Sequence, residues 1–483
     1  MTQRTNSLRQ TRIAVLFVLT LSLTFCAGSA SAQNKPEVFR VADLLITARY
    51  VVTMDATMRI IEDGAVAIYG DTIEAVGPRA MVEANFRAKD HISAPDGLLM
   101  PGLINGHTHA AMTLFRGIKD DVTLQDWLQN YIFPAEARNV TEEFVTWGTR
   151  LGVLEMLLGG TTTYVDMYYF EDAVARETKA AGMRGVLGET FIDFPAPDNK
   201  THADALAYTE AFLKHWRGDP LIHAAVAPHS IYTCSPETLR DAAALARRFS
   251  APIVIHVSET KKEVDDSNAV HKLSPVAWLA SLGVLGPDVI AAHCIWIDSA
   301  DITLLARSHT GCVNNPSSNM MLASGVAPVP AMLGGGVAVG LGTDGPAGSN
   351  NDLDMMEEMD LAAKLQKVSR MDPQALSARQ AVEMATIGGA RAIHMENEIG
   401  SLEVGKKADL IVIGSNAPHA VPMYDIYSQI VYALKASDVQ DTVIGGRIVM
   451  QNGGVLTMNE AQIIARAREI AAQVKKSLAA PAK

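Results

Sequence analysis

Two histidines one residue apart, His107 and His109, follow the apolar pair Leu103-Ile104. In an extended chain residues i and i+2 project to the same face, so both imidazoles can converge on one point. Other polar groups close apolar runs in the same way: His229 after 222–228, His256 after Ile253-Val254-Ile255, His293 after Ile290-Ala291-Ala292, and Asp344 after 339–343. Imidazole nitrogens with a carboxylate oxygen suit Zn²⁺, with Fe²⁺ as an alternative. Glu259 stands three residues after His256, where a carboxylate can move protons. One histidine at the end of an apolar run is most often structural. A set of them, each at the end of a different run, points to a site.

Such convergence needs strands whose ends open onto one face. Eight short apolar runs recur at 98–105, 162–167, 184–190, 222–228, 252–257, 289–293, 311–315 and 337–343. Helical stretches such as 235–249 and 352–368 lie between several of them. Continuous apolar strands alternating with helices indicate a parallel sheet covered on its outer face. Eight of them over about 300 residues predict an α/β fold of the (β/α)₈ barrel type, with its active site at the strand C-termini. No GxGxxG follows a strand and opens a helix, so a dinucleotide-binding open sheet gains no support.

The barrel is expected over 98–397. The stretch 39–97 reads as short β-strands separated by Asp63-Gly64, Gly70-Asp71 and Gly77-Pro78, and strand-like runs return at 408–413 and 441–444. The economical reading is one small discontinuous β-sandwich domain built from both chain ends, 39–97 with 398–455. A closing helix is expected at 460–477 within a tail of 456–483, with Asn459 as its N-cap.

The other end has a different character. Arg4, Arg9 and Arg12 precede an apolar run at 13–25, and Ala30-Ser31-Ala32 gives a small-x-small cleavage site before Gln33. Residues 1–32 therefore read as an export signal, which predicts a periplasmic or secreted protein that meets a membrane only through that segment. The chain of 483 residues carries 53 acids against 41 bases, a formal charge of −12. That disfavours nucleic acid as a partner, because phosphate binding needs a basic surface. Four cysteines without a CxxC pair are no disulfide framework.

The motifs 101–109 (PGLINGHTH), 256–260 (HVSET), 292–294 (AHC) and 341–345 (LGTDG) together resemble the amidohydrolase superfamily. The runs 109–117 (HAAMTLFRG), 227–230 (APHS) and 344–353 resemble more narrowly the 5′-methylthioadenosine/S-adenosylhomocysteine deaminases and their triazine-hydrolase relatives. The run 400–410 (GSLEVGKKADL) resembles that family's return into the β-domain. The resemblance spans about residues 40–455.

It implies that His107, His109, His256 and Asp344 hold one divalent metal ion, Zn²⁺ first, with Fe²⁺ or Mn²⁺ as alternatives. Binuclear members use a carbamylated Lys on the fourth strand, and 222–229 contains no Lys. Water activated by the ion would then attack an amino-bearing ring carbon. Glu259 would shuttle the proton, Asp344 would share it while ligating, and His293 would orient the developing oxygen. Glu136 would accept bonds from ribose hydroxyls and His229 would contact the base. Trp127 would serve either as a stacking surface for a purine or as core. Members favouring S-adenosylhomocysteine carry Arg near the end of the third strand, whereas here it ends in Glu189, the wrong sign for a carboxylate tail. The expected function is thus an exported metal-dependent deaminase of an adenosine-like or other amino-substituted N-heterocycle. Hydrolysis of another C–N or C–Cl bond, in an s-triazine or a cyclic amide, is the alternative, and an inactive metal- or ligand-binding scaffold a distant third. The partner is a small molecule, and the resemblance leaves room for a homo-oligomer.

Overall fold

The computed structural model describes residues 39–479; the export signal expected over 1–32 lies outside the described residues. Eight strands form the barrel: β1 (Leu103–Thr108), β2 (Thr161–Tyr168), β3 (Arg184–Phe191), β4 (Ile222–Pro228), β5 (Ile253–Val257), β6 (Val289–His293), β7 (Gly311–Asn314) and β8 (Val339–Leu341). Each pairs in parallel with the next. The ring closes where the Asp344 N–H donates to the His107 carbonyl at 2.9 Å, beside a parallel bridge between Thr108 and Asp344. Every residue of β2 and β3 is buried, as strands covered on both faces require.

Strands from the two chain ends form one mixed eight-stranded sheet. Phe86–Pro101 is its junction. It pairs in parallel with Arg40–Val52 on one side and antiparallel with Leu410–Ile413 on the other. Both ends contribute to one apolar cluster, in which Leu44, Ile46 and Ile68 pack with Leu410, Val412 and Val443. The apolar run at 98–105 divides between the two sheets. Leu98–Pro101 belongs to the outer sheet and β1 begins at Leu103. Gly102 makes the turn between them, where any Cβ would overlap the Thr162 side chain. A buried ion pair ties the layers together: the Arg184 guanidinium at the start of β3 grips Asp409 at 2.7 and 3.2 Å. Asp409 also accepts the Gly445 N–H at 2.7 Å.

The closing helix spans Glu460–Ala479, and Asn459 Oδ1 accepts the Gln462 N–H at 3.1 Å. Its stripe Ile463, Ala467, Ile470 and Val474 is buried, the last three in the cluster that holds Phe144 and Val145. Those two lie on the helix Glu142–Leu158. Cys234, Cys294 and Cys312 are free and buried. Among the described residues no helix is long and apolar enough to cross a membrane.

Candidate active site

The ends of β1, β5 and β8 bring His107, His109, His256 and Asp344 together, with one ligand atom from each within 4.8 Å of all the others. His109 Nε2 lies 3.2 Å and His107 Nε2 3.3 Å from Asp344 Oδ1. The second nitrogens of two rings are already engaged. His109 Nδ1 donates to the Met167 carbonyl at 2.6 Å, and His256 Nδ1 to the His229 carbonyl at 2.8 Å. Those bonds fix the tautomers and turn each Nε2 lone pair inward. His107 is fully buried with no hydrogen-bond partner on either ring nitrogen. A buried orphan of that kind calls for a ligand. Burial presses Asp344 toward neutrality, but the His107 and His109 imidazoles beside it overturn this and hold it well below the usual carboxylate range. Burial likewise opposes a charge on His109, yet Asp344 lifts it to about 9. The cage draws in positive charge, and its donors fit a divalent ion of the zinc type.

Glu259 is buried beside this cage, its Oε2 3.9 Å from His293 Nε2. Burial, with the Asp344 charge added, raises Glu259 to about 8, against the pull of His109. A carboxyl so poised can take and return protons near neutral pH. His293 Nδ1 donates to Asn319 Oδ1 at 3.0 Å, which leaves its Nε2 lone pair toward the site. Burial keeps His293 below its ordinary value, and so neutral at pH 7. Beside the cage, Ser258 at φ 52°, His293 at 71° and Asp344 at 64° hold left-handed backbone without being glycine. Each costs roughly 1–2 kcal/mol, a cost concentrated where side chains are aimed.

The same groups line a cavity at the C-terminal mouth of the barrel. Glu136, His229 and Trp127 line it too, so every site residue expected from the sequence except fully buried His107 faces this one space. Glu136 accepts the Tyr168 hydroxyl at 2.7 Å, and burial raises its carboxyl to about 7. His229 Nδ1 lies 3.0 Å from Thr233 Oγ1, and burial lowers the ring to about 3. Trp127 lines the wall and donates its indole N–H to the Ala347 carbonyl at 3.0 Å. The same stretch of chain makes that wall apolar, with Leu124, Leu128, Ile132 and Phe133.

Glu189 is elsewhere. Strand alternation turns it away from the cavity, which Thr190 lines instead. Its carboxylate is buried and accepts the Glu171 N–H at 3.1 Å and the Asn199 amide at 2.9 Å. The expectation that Glu189 repels an anionic tail by contact is therefore corrected. What the cavity shows is that no Lys or Arg is among its lining residues.

The profile of the amidohydrolase family matches residues 98–449. The chain belongs to the amidohydrolase family. A 5-methylthioadenosine/S-adenosylhomocysteine deaminase of Syntrophobacter fumaroxidans is 48% identical over 434 residues, covering 90% of this chain and 99% of that protein. An adenosine deaminase of Xanthomonas campestris with bound zinc superposes with a TM-score of 0.89 at 39% identity, over 91% of this chain and all of that one. An atrazine chlorohydrolase of Arthrobacter aurescens superposes at 0.82 with 22% identity, over 89% of this chain and 100% of that one, a likeness of fold alone.

In this amidohydrolase the polar residues behind the site escaped sequence reasoning. Asp166 accepts Thr108 Oγ1 at 2.6 Å and the Ala110 N–H at 2.7 Å, and so braces both sides of His109. Ser318 donates to Asp344 Oδ2 at 2.7 Å, leaving Oδ1 to the histidines. Ser318 and Asn319 are neighbours on one short helix, Pro316–Met321, and orient Asp344 and His293 respectively. Glu263 receives two backbone N–H groups beside Glu259. Only Asp166 offered a sequence signal, a lone acid inside the apolar run 162–167.

Proposed function

We propose that this protein is an exported metal-dependent aminohydrolase that deaminates an adenosine-like nucleoside carrying a neutral 5′ substituent. The observation that carries the reading is the placement of Glu259 and the histidine–aspartate cage on one cavity, in a chain 48% identical to a 5-methylthioadenosine/S-adenosylhomocysteine deaminase. Zinc is the proposed ion, on the donor set and on the zinc bound by the Xanthomonas campestris relative. When bound there, the ion supplies hydroxide at neutral pH by lowering the pKa of water.

The chain's own residues do the rest. Glu259 takes one proton from the attacking water and passes it to the ring nitrogen; the water's second proton, released from the new hydroxyl as the C=O forms, goes to the amine, which leaves as ammonia. Neutral His293, fixed through Asn319, accepts from the nucleophile and orients it toward the ring carbon. Asp344 shares in proton transfer while its other oxygen is held by Ser318. His229 is neutral, with Nδ1 engaged by Thr233, and presents Nε2 to the base. Glu136 accepts from ribose hydroxyls, and the apolar wall packs against the 5′ group. A tail bearing a carboxylate finds no cation on the lining and three acids, Glu136, Glu259 and Asp344, facing it.

The test is ammonia release by the zinc-loaded chain starting at Gln33. The panel holds 5′-methylthioadenosine, adenosine, S-adenosylhomocysteine, guanine, cytosine and amino-triazines, with Glu259→Gln as control. We expect purine nucleosides to react, S-adenosylhomocysteine to trail, and Glu259→Gln to lose about 10²–10⁴-fold in kcat with its metal retained. Metal bound and no ammonia from any compound overturns the reading. N-terminal sequencing of the periplasmic fraction tests the export signal.

A further inference from the structure

Behind β5 the chain turns sharply. Ser258 adopts left-handed backbone and Glu259 follows it. The helix Lys261–His271 begins immediately afterwards, with Thr260 as its N-cap. Thr260 Oγ1 accepts the Glu263 N–H at 3.2 Å, half of a capping box. In the usual box the glutamate three residues on reaches back to the N-cap N–H. Here it reaches past the cap. Glu263 Oε1 accepts the Ser258 N–H at 2.9 Å and Oε2 accepts the Glu259 N–H at 2.8 Å. The carboxylate is only 3% exposed, so these bonds form out of water, where charge-assisted bonds are strong. On the other side of the turn, the Ser258 carbonyl accepts the N–H groups of Ile295 and Trp296 at 3.1 and 3.0 Å. One turn thus carries Glu259 and is tied to the backbone just beyond His293.

We propose that Glu263 is a positioning residue: its buried carboxylate clamps the Ser258–Glu259 peptide and so aims the Glu259 side chain at the reacting atoms. The inference rests on the deaminase reading above and adds a residue to it. Two consecutive N–H groups in a left-handed turn make a small anion nest, and here the anion is supplied by the helix that follows. Without it the turn is held only through the Ser258 carbonyl, and Glu259 loses its aim while the histidine–aspartate cage keeps its own, since His107, His109 and Asp344 stand on other strand ends and His256 is fixed by the His229 carbonyl.

Glu263→Gln and Glu263→Ala, made in the full zinc-loaded chain, test this. The glutamine keeps one acceptor and turns an N–H toward the other peptide N–H, so the expected order of activity is wild type, then Gln, then Ala. We expect kcat to fall about 10- to 100-fold with KM within about threefold, because the interaction serves the transition state. Bound zinc per chain stays unchanged. Hydrogen exchange in the peptide 257–262 accelerates, most in Ala. In a Glu259→Gln background, either change costs less than about threefold more, because both residues act through one proton carrier.

Additive losses in the double variants, a KM effect without a kcat effect, or loss of zinc overturns the proposal. Failure of both variants to fold overturns it as well, by assigning Glu263 to stability. A wild-type protein inactive on the whole panel removes the deaminase reading and this inference together. An active wild type with additive losses removes only this one.

Discussion

At the scale of single residues, the proposed reaction divides the cavity into groups that would act on the reacting atoms and groups that would hold the substrate. Glu136 would belong to the second class: it is on a helix and bonded to Tyr168 rather than placed in the cage. Hydrogen bonds to a charged group are worth about 1.5–3 kcal/mol. Glu136→Gln is therefore expected to raise KM for nucleosides about 10- to 100-fold with kcat little changed. Free adenine, which lacks the ribose, serves as the control, and steady-state kinetics on the pair decides. The residues that meet the reaction were legible because each terminates an apolar run, and a strand end in a barrel has one direction in which to point. Residues that act on them were not. Ser318, Asn319 and Glu263 are ordinary polar residues on or beside helices, and only the packed structure shows which atoms they reach. Glu189 was misread because a one-residue difference in facing is invisible without register. Its neighbour Thr190 has the position that Glu189 was given.

At the scale of elements, the site depends on a close crossing. The helix Glu142–Leu158 passes so near the turn Ala110–Phe115 that a Cβ on Gly148 would overlap the Ala111 carbonyl. Thr113 Oγ1 donates to the Gly148 carbonyl at 2.8 Å, which locks the crossing. That turn begins directly after His109. Gly148→Ala is expected to destabilise by about 1–3 kcal/mol and to weaken metal retention, as read by a melting scan and by zinc content after dialysis. Strands and helices themselves were readable from the sequence, because burial on both faces writes continuous apolar runs and turn residues punctuate them. The division at Gly102 was not, since Leu98-Leu99-Met100 and Leu103-Ile104 read as one run although they enter different sheets.

For the whole molecule, the interior holds carboxyls that ionise only near neutral pH. Burial raises Glu136 and Glu263 to about 7 and Glu358 to about 8, from an ordinary value of 4.5. Between pH 4.5 and about 8 the folded chain binds more protons at these groups than the unfolded chain does. Their contribution to stability is therefore present at low pH and lost as pH rises through 7 to 8. His229, lowered by burial to about 3, has the opposite slope, but only below its ordinary value of 6.5. Calorimetry is expected to show the melting temperature falling from pH 6.5 to 8.5, and Glu358→Gln is expected to flatten that fall. A rise over this range would refute the assignment.

The closing seam of the barrel has a consequence for the order in which the fold comes apart. The first and last strands meet at the Asp344 N–H and the His107 carbonyl, and the side chains of those same two residues belong to the ion cage. An ion held there works as a clasp across the one junction that no chain connection spans locally. While it is fastened, parting β1 from β8 also costs the ion's bonds, and a chain that lets its cation go keeps only its own hydrogen bonds across the seam. Catalytic competence and integrity of the ring are in that sense a single property, and the ion that an enzyme of this kind keeps for its chemistry also guards it against opening.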